Sequence, residues 1–222
     1  MNETGAPLDI AASALAGVPA RKPSACGGGP GRHNRPRRPP AEIGDLPFLI
    51  KRDGTWLYQG TPINRKELVC LFASVLKRGE DGGYWLETPV ERGRIVVEDA
   101  PFVAVEMWWK DCDCGGGQPR QCLTFRTNLD ELVTASEQHP IRVHVCPQTG
   151  EPRPYILVRP GPGGGIEAKI SRAVFYELCA LAQPETVAGR EMLGVWSEGV
   201  FFPIDEAVPA KGDGTVVGAA AE

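Results

Sequence analysis

Nowhere in its 222 residues does the chain string together the ~18 apolar residues of a membrane-crossing helix, which excludes an integral helical membrane protein. Histidine is scarce. There are three in all, and only His139 and His144 fall where the sequence is dense enough to fold, which limits acid–base schemes centred on imidazole. Positive charge is also lacking: the net charge is -4, so whole-protein electrostatics do not favour nucleic acid. The imbalance is local, because residues 1–41 hold six Lys/Arg against two Asp/Glu and leave -8 for the remainder. No basic, strongly aliphatic leader opens the chain, since Glu3 and Asp9 precede a weak apolar run over residues 10–18. Seven cysteines, an odd number without an export signal, then read as reduced thiols and place the protein in the cytoplasm.

What is present divides by composition. Residues 1–41 contain seven Pro and six Gly and cannot bury enough apolar surface to offset ordering, so they read as a disordered basic tail. Residues 207–222 are small and polar and read as a frayed end. Between them lie two expected lobes, 42–110 and 122–206, joined by a Cys/Gly-rich insert at 111–121.

Asp53-Gly54 signals a turn before a short strand on which Trp56 and Tyr58 share a face. Asn64 reads as the cap of an amphipathic helix with Leu68, Leu71, Phe72 and Val75 at helical spacing. A second helix spans about 171–181, capped by Ser171, with Val174, Phe175, Leu178 and Leu181 on one side and Pro184 as its stop. Strand patterns mixed with two distant helices predict an α+β fold. Ile63-Asn64-Arg65 is echoed by Ile170-Ser171-Arg172, and Trp85-Leu86-Glu87 after the first helix by Trp196-Ser197-Glu198 after the second. This order predicts two lobes built from a repeated strand-helix-strand unit with mostly antiparallel strands.

These residues also carry a resemblance. Asp53-Gly54-Thr55-Trp56-Leu57-Tyr58-Gln59-Gly60-Thr61-Pro62-Ile63-Asn64-Arg65, Thr88-Pro89-Val90-Glu91, Val97-Glu98-Asp99-Ala100-Pro101-Phe102, Phe125-Arg126-Thr127-Asn128, His139-Pro140 and Pro154-Tyr155 resemble the bacterial domain-of-unknown-function family 1285, DUF1285. The resemblance runs from about residue 44 to 204 and departs in the basic tail and the insert. It implies a two-part α+β arrangement with repeated motifs and a ligand-binding role in signalling, and it brings neither an activity nor a cofactor.

The chemical motifs are incomplete. Gly163-Gly164-Gly165-Ile166-Glu167-Ala168 fits G-x-G-x-x-A, but no second strand ending in an acid follows, so the loop reads as a turn. Gly194-Val195-Trp196-Ser197-Glu198-Gly199 misses the nucleophile elbow by one position, which leaves Ser197 as a strand residue. Cys112, Cys114, Cys122, His144 and Cys146 are soft donors, yet C-x-C spacing beside a triple glycine is a poor zinc knuckle, and the reading is an exposed reduced loop. Cys70 and Cys179, one on each helix, read as small buried hydrophobes.

Two functional readings survive. The first is a non-enzymatic module that holds a small molecule or peptide in a groove between the lobes, with Trp56, Tyr58, Arg65, Trp85, Arg126 and Asn128 as aromatic surface and polar anchors. Neither membrane nor nucleic acid is an expected partner. The alternative is a hydrolase-like enzyme around Glu98, Asp99, Thr127 and Asn128, which a carboxylate of raised pKa would favour.

Overall fold

A computed structural model describes residues 39–111 and 121–206. The chain opens with β1 (Ala41–Ile50), β2 (Trp56–Tyr58) and β3 (Thr61–Pro62), continues through α1 (Lys66–Ser74), and returns as β4 (Leu76–Arg78), β5 (Tyr84–Glu87) and β6 (Glu91–Val97). These six strands form one sheet in the order β3-β2-β1-β6-β5-β4, in which β1 and β6 run parallel. The second sheet takes β7 (Phe102–Asp111), β8 (Gln121–Thr127), β9 (Leu132–Thr134), β10 (Ile141–Val145), β11 (Pro152–Arg159) and β12 (Ile166–Ile170). Its order is β10-β11-β12-β7-β8-β9, with β7 parallel to β12. Read from β9, it repeats the strand order of the first sheet. The chain ends with α2 (Arg172–Ala180) and a meander of β13 (Gln183–Val187), β14 (Arg190–Ser197) and β15 (Val200–Glu206).

The fold class expected from the sequence is therefore corrected. The described residues are 54% strand and 13% helix, arranged in three sheets, which is a mostly β fold and not two strand-helix-strand lobes. The two helices hold unequal places: α1 links the two meanders of the first sheet, whereas α2 leaves the second sheet for the third. What the first two sheets share is strand order, in which the second has no helix between β9 and β10.

Caps and core follow local chemistry. Asp53 accepts from Thr55 N at 2.9 Å, and Gly54 takes a φ of +82°, so the Asp-Gly turn forms as its side chains dictate. Ser171 caps α2 and accepts from Val174 N. Asn64 caps nothing. The cap of α1 is Arg65, without a side-chain bond, and the helix turns Val69, Phe72 and Ala73 inward while Leu68 and Leu71 stay half-buried. The second helix ends ahead of Pro184, at Ala180 with Leu181 as its C-cap, and Pro184 itself pairs with Leu193 within β13. One core runs through the first two sheets and onto α2 and the third sheet, including Ile50, Trp56, Leu86, Phe102, Phe125, Leu178 and Val195. Ser197, fully buried, accepts from Leu123 N at 2.9 Å and donates to the Ala135 carbonyl at 2.7 Å, which fixes the third sheet onto the second.

A polar cluster ties the end of the first sheet to the second. Tyr155 OH donates to Asp99 Oδ1 at 2.7 Å, and Lys169 Nζ to Oδ2 at 2.8 Å. Burial acts to raise the Asp99 pKa, but the hydrogen bonds from Lys169 and Tyr155, with the charge of Lys169, outweigh it and hold the carboxyl below its usual value. A depressed folded-state pKa stabilises above the unfolded value of ~3.9 and loses that contribution as pH falls through the folded one. Urea midpoints measured downward from pH 7 are therefore expected to fall more steeply below about pH 4 for the wild type than for Asp99→Asn, whose side chain takes up no proton. Equal acid slopes would show that Asp99 is uncoupled from folding.

Candidate functional site

The first and second sheets meet where β4 faces the loop between β11 and β12. Arg78, at the end of β4, makes the junction: its Nη1 donates to the Gly165 carbonyl at 3.1 Å, and its Nε to the Gly82 carbonyl at 3.4 Å. Glu167 Oε2 stands 3.8 Å from the same guanidinium. Arg159, the last residue of β11, grips Glu131 through Nε at 2.9 Å and Nη2 at 2.7 Å, and donates from Nη1 to the Ala73 carbonyl at the end of α1. Between these two arginines lies a cavity of about 250 Å³, floored by Leu76 and Ile166 and walled by Lys77 and residues 160–162 and 165.

Among the described residues no carboxylate lines this cavity, although the chain as a whole is acidic. Lys77 has no ion-pair partner among the described residues, whereas Arg78 and Arg159 are already engaged. A wider depression of about 650 Å³ adjoins it, sharing Lys77, Arg78 and Pro162. Its Lys77 and Trp85 are register partners across β4 and β5, and the same row continues beyond the lining to Arg94 on β6 and Asp45 on β1. The guanidinium carbons of Arg92 and Arg94 lie 4.8 and 5.8 Å from the Trp85 ring centroid. Glu42 and Asp81 in turn pair those arginines, at 2.8 and 3.5 Å, so this outer part is mixed in charge.

Of the six anchors expected from the sequence, the structure places one, Trp85, at this seam. Trp56 is 1% exposed and belongs to the core, and its Nε1, like the Tyr58 hydroxyl, is buried without a hydrogen-bond partner among the described residues. Arg65 is exposed at the head of α1. Arg126 is held by Glu106 at 2.8 Å and Asp130 at 2.7 Å. Asn128 accepts from Val103 N at 3.1 Å and donates to the Gly54 carbonyl at 3.4 Å, which makes it a bridge between the sheets.

The alternative set is likewise committed to structural bonds, to backbone for Glu98, Thr127 and Asn128 and to the side chains of Tyr155 and Lys169 for Asp99. Glu98 accepts from Arg52 N at 3.1 Å, and the buried Thr127 hydroxyl accepts from Leu129 and Glu131 N in a turn. Asp99 carries a lowered pKa where a general acid needs a raised one.

The soft donors do not gather either. Cys112 and Cys114 lie outside the described residues. Cys122, on β8, and Cys146, just past β10, are separated by β7, β12 and β11, roughly 19 Å at the ~4.8 Å strand spacing. Burial pushes the Cys122 thiol up, whereas the Thr149 hydroxyl, neighbouring backbone amides and Arg153 draw Cys146 down to about 7. His144 is exposed, its ring 5.7 Å from that of Tyr155. Among the described residues no group of three or more His, Cys, Asp or Glu stands close enough to hold a metal.

Sequence reasoning missed Lys77, Arg78 and Arg159. Lys77 and Arg78 sit where the helical pattern ends, a place in which cations need no further reason. The triple glycine, which resembled a dinucleotide loop, enters β12 and not a helix, and its last residue, Gly165, lines the cavity.

Comparison with known proteins agrees with the division between the sheets. Residues 37–100 match the DUF1285 N-terminal domain, a domain of unknown function, and residues 101–204 match the C-terminal domain of the same family, described as a protein of unknown function. The chain belongs to the DUF1285 family. A crystal structure of a family member from Silicibacter pomeroyi DSS-3 is 41% identical, covers 89% of this chain and 94% of its own, and superposes with a TM-score of 0.66. A second, from Shewanella baltica OS155, is 28% identical over 60% of this chain and 89% of its own, with a TM-score of 0.43. No curated protein matches. Among the described residues no helix is long and apolar enough to cross a membrane.

Proposed function

We propose that this DUF1285 member is a non-catalytic module that binds a small anionic molecule in the seam between its first two sheets. The observation that carries the reading is the cavity of about 250 Å³ lined by Lys77, Arg78 and Arg159 and, among the described residues, by no carboxylate. Glu167 and Glu131 already compensate Arg78 and Arg159, so the charge left for a ligand is that of Lys77, with the two guanidinium groups as further donors on the cavity wall. The volume lies just under the usual range for drug-sized ligands, which suits a compact acid or phosphate ester better than a dinucleotide. Trp85 at the mouth offers an aromatic face to whatever extends outward, while Arg92 there is paired with Glu42. A module that holds its ligand without converting it acts by reporting occupancy, which is the signalling role we attach to it. A hydrolase centred on Glu98, Asp99, Thr127 and Asn128 has less support, because each of these side chains already serves a structural hydrogen bond.

Calorimetric titration with inorganic phosphate, pyrophosphate and a panel of dicarboxylates tests the reading. At least one is expected to bind, to raise the melting midpoint, and to bind more weakly as salt increases. Lys77→Glu, at an exposed position, is expected to weaken that binding about tenfold while leaving the melting of the free protein unchanged. Unaltered affinity in Lys77→Glu would remove the cavity as the site.

A further inference from the structure

Where α2 lies along the edge of β7, the two elements leave a groove of about 430 Å³ between them. Met107, Trp108 and Trp109 border it from the strand, and Glu177, Ala180 and Leu181 from the helix and its C-cap. Ser171 N, bonded to the Ala104 carbonyl, sets the start of the helix against this edge. Trp108 and Trp109 pair with Thr124 and Leu123 in regular register, so their side chains leave the strand on opposite faces, and both border the groove because it follows the edge. Trp108 is 39% and Trp109 54% exposed, which leaves much of both rings unpacked against the protein. Among the described residues the single charge in the lining is Glu177, and it has no ion-pair partner there. Glu106 nearby is neutralised by Arg126 at 2.8 Å, and Lys110, the next cation along the strand, lies outside the lining.

We propose that this groove binds a small organic ammonium ion. An anion would meet the Glu177 carboxylate and no compensating cation. A neutral apolar molecule would strip water from that carboxylate and supply no partner in its place. An alkylated ammonium satisfies both requirements. The electron-rich indole faces attract the cation, its alkyl groups rest on Met107 and Leu181, and Glu177 balances the charge. The volume falls inside the usual range for small-molecule sites, and the openness of both tryptophans to solvent limits the affinity. This inference is independent of the anion cavity, with which the groove shares no lining residue.

Titration of the full chain with tetramethylammonium and with choline, followed by calorimetry and tryptophan fluorescence, tests it. The control is 3,3-dimethyl-1-butanol, the uncharged carbon analogue of choline. Both cations are expected to bind with a dissociation constant of about 1 mM, and the alcohol at least about tenfold more weakly. Glu177→Gln should weaken choline binding about fivefold or more, and Trp109→Leu about tenfold, each at an exposed position and with the melting of the free protein unchanged. Glu177→Gln keeps the shape of the helix face and removes only the charge, so it decides the matter even if Trp109→Leu fails to fold. No saturable binding of either cation, equal binding of the uncharged alcohol, unchanged affinity in Glu177→Gln, or a marked preference for a lysine-containing peptide over both cations would each overturn the proposal.

Discussion

Replacing Arg159 by alanine is expected to cost about 3 kcal/mol and to lower the melting temperature by roughly 6–12 °C. The guanidinium joins three parts of the molecule that are distant in sequence: Glu131 after β8, the Ala73 carbonyl at the end of α1, and the Phe102 ring 5.2 Å away on β7. Both charged partners are about one-third exposed, which discounts the Coulombic part. The larger loss is geometric. Truncation leaves a half-buried carboxylate and a helix-end carbonyl without their shared donor, and unmade hydrogen bonds to charged groups cost more than made ones gain. Arg159→Lys should recover less than half, because an ammonium cannot hold both Glu131 oxygens and reach Ala73 in one plane. Arg126→Ala serves as the contrast, since its exposed pairs with Glu106 and Asp130 should be worth less than ~1 kcal/mol. Urea unfolding of the three variants separates a clamp from a surface ion pair, and similar small losses at both arginines would refute the clamp.

Much of the local structure was legible in the sequence, and little of the long-range pairing. Ser171, Val174, Phe175 and Leu178 announce α2 because a cap and an apolar stripe are read within one window. The Asp53-Gly54 turn and the Trp56–Tyr58 strand are equally local. By contrast, the first half of β1 is exposed and joins the sheet through a parallel partner half a domain away, so no alternation of side chains marks it. β4 is three residues long, and β13 is exposed throughout and holds a proline, so neither offers a period to read. The similar starts of the two helices are a likeness of sequence alone, since Ser171 caps α2 whereas Asn64 caps nothing and α1 begins after Arg65. Cap and stripe specify a helix but not the sheet it serves, and α1 and α2 serve different sheets. The candidate site was illegible for the same reason: Lys77 and Arg78 meet Arg159 across some eighty residues, and only the packing of β4 on the β11–β12 loop brings them together.

Gly163 is where that packing should prove least tolerant. It sits at φ +60°, and a Cβ built on it would lie 2.0 Å from the carbonyl oxygen of Gly79, in the turn between β4 and β5. The obstacle is backbone, itself fixed by the bonds from Gly79 N to the Gly83 carbonyl and from Gly82 N to the Gly79 carbonyl, so no side chain can swing aside. Gly163→Ala must therefore push the loop away from β4, stretch the Arg78–Gly165 bond and open the cavity, at a cost of about 2–4 kcal/mol. Gly164→Ala separates the two contributions. It has a positive φ of +91° as well, but its nearest neighbour is the end of the Arg78 side chain at 3.6 Å, so it should pay only the conformational cost of roughly 1–2 kcal/mol. If the anion site is the cavity, Gly163→Ala should also abolish the binding that Lys77→Glu merely weakens, while Gly164→Ala retains it. Equal destabilisation of the two glycine variants, or anion binding preserved in Gly163→Ala, would show that the loop approaches β4 without being braced against it.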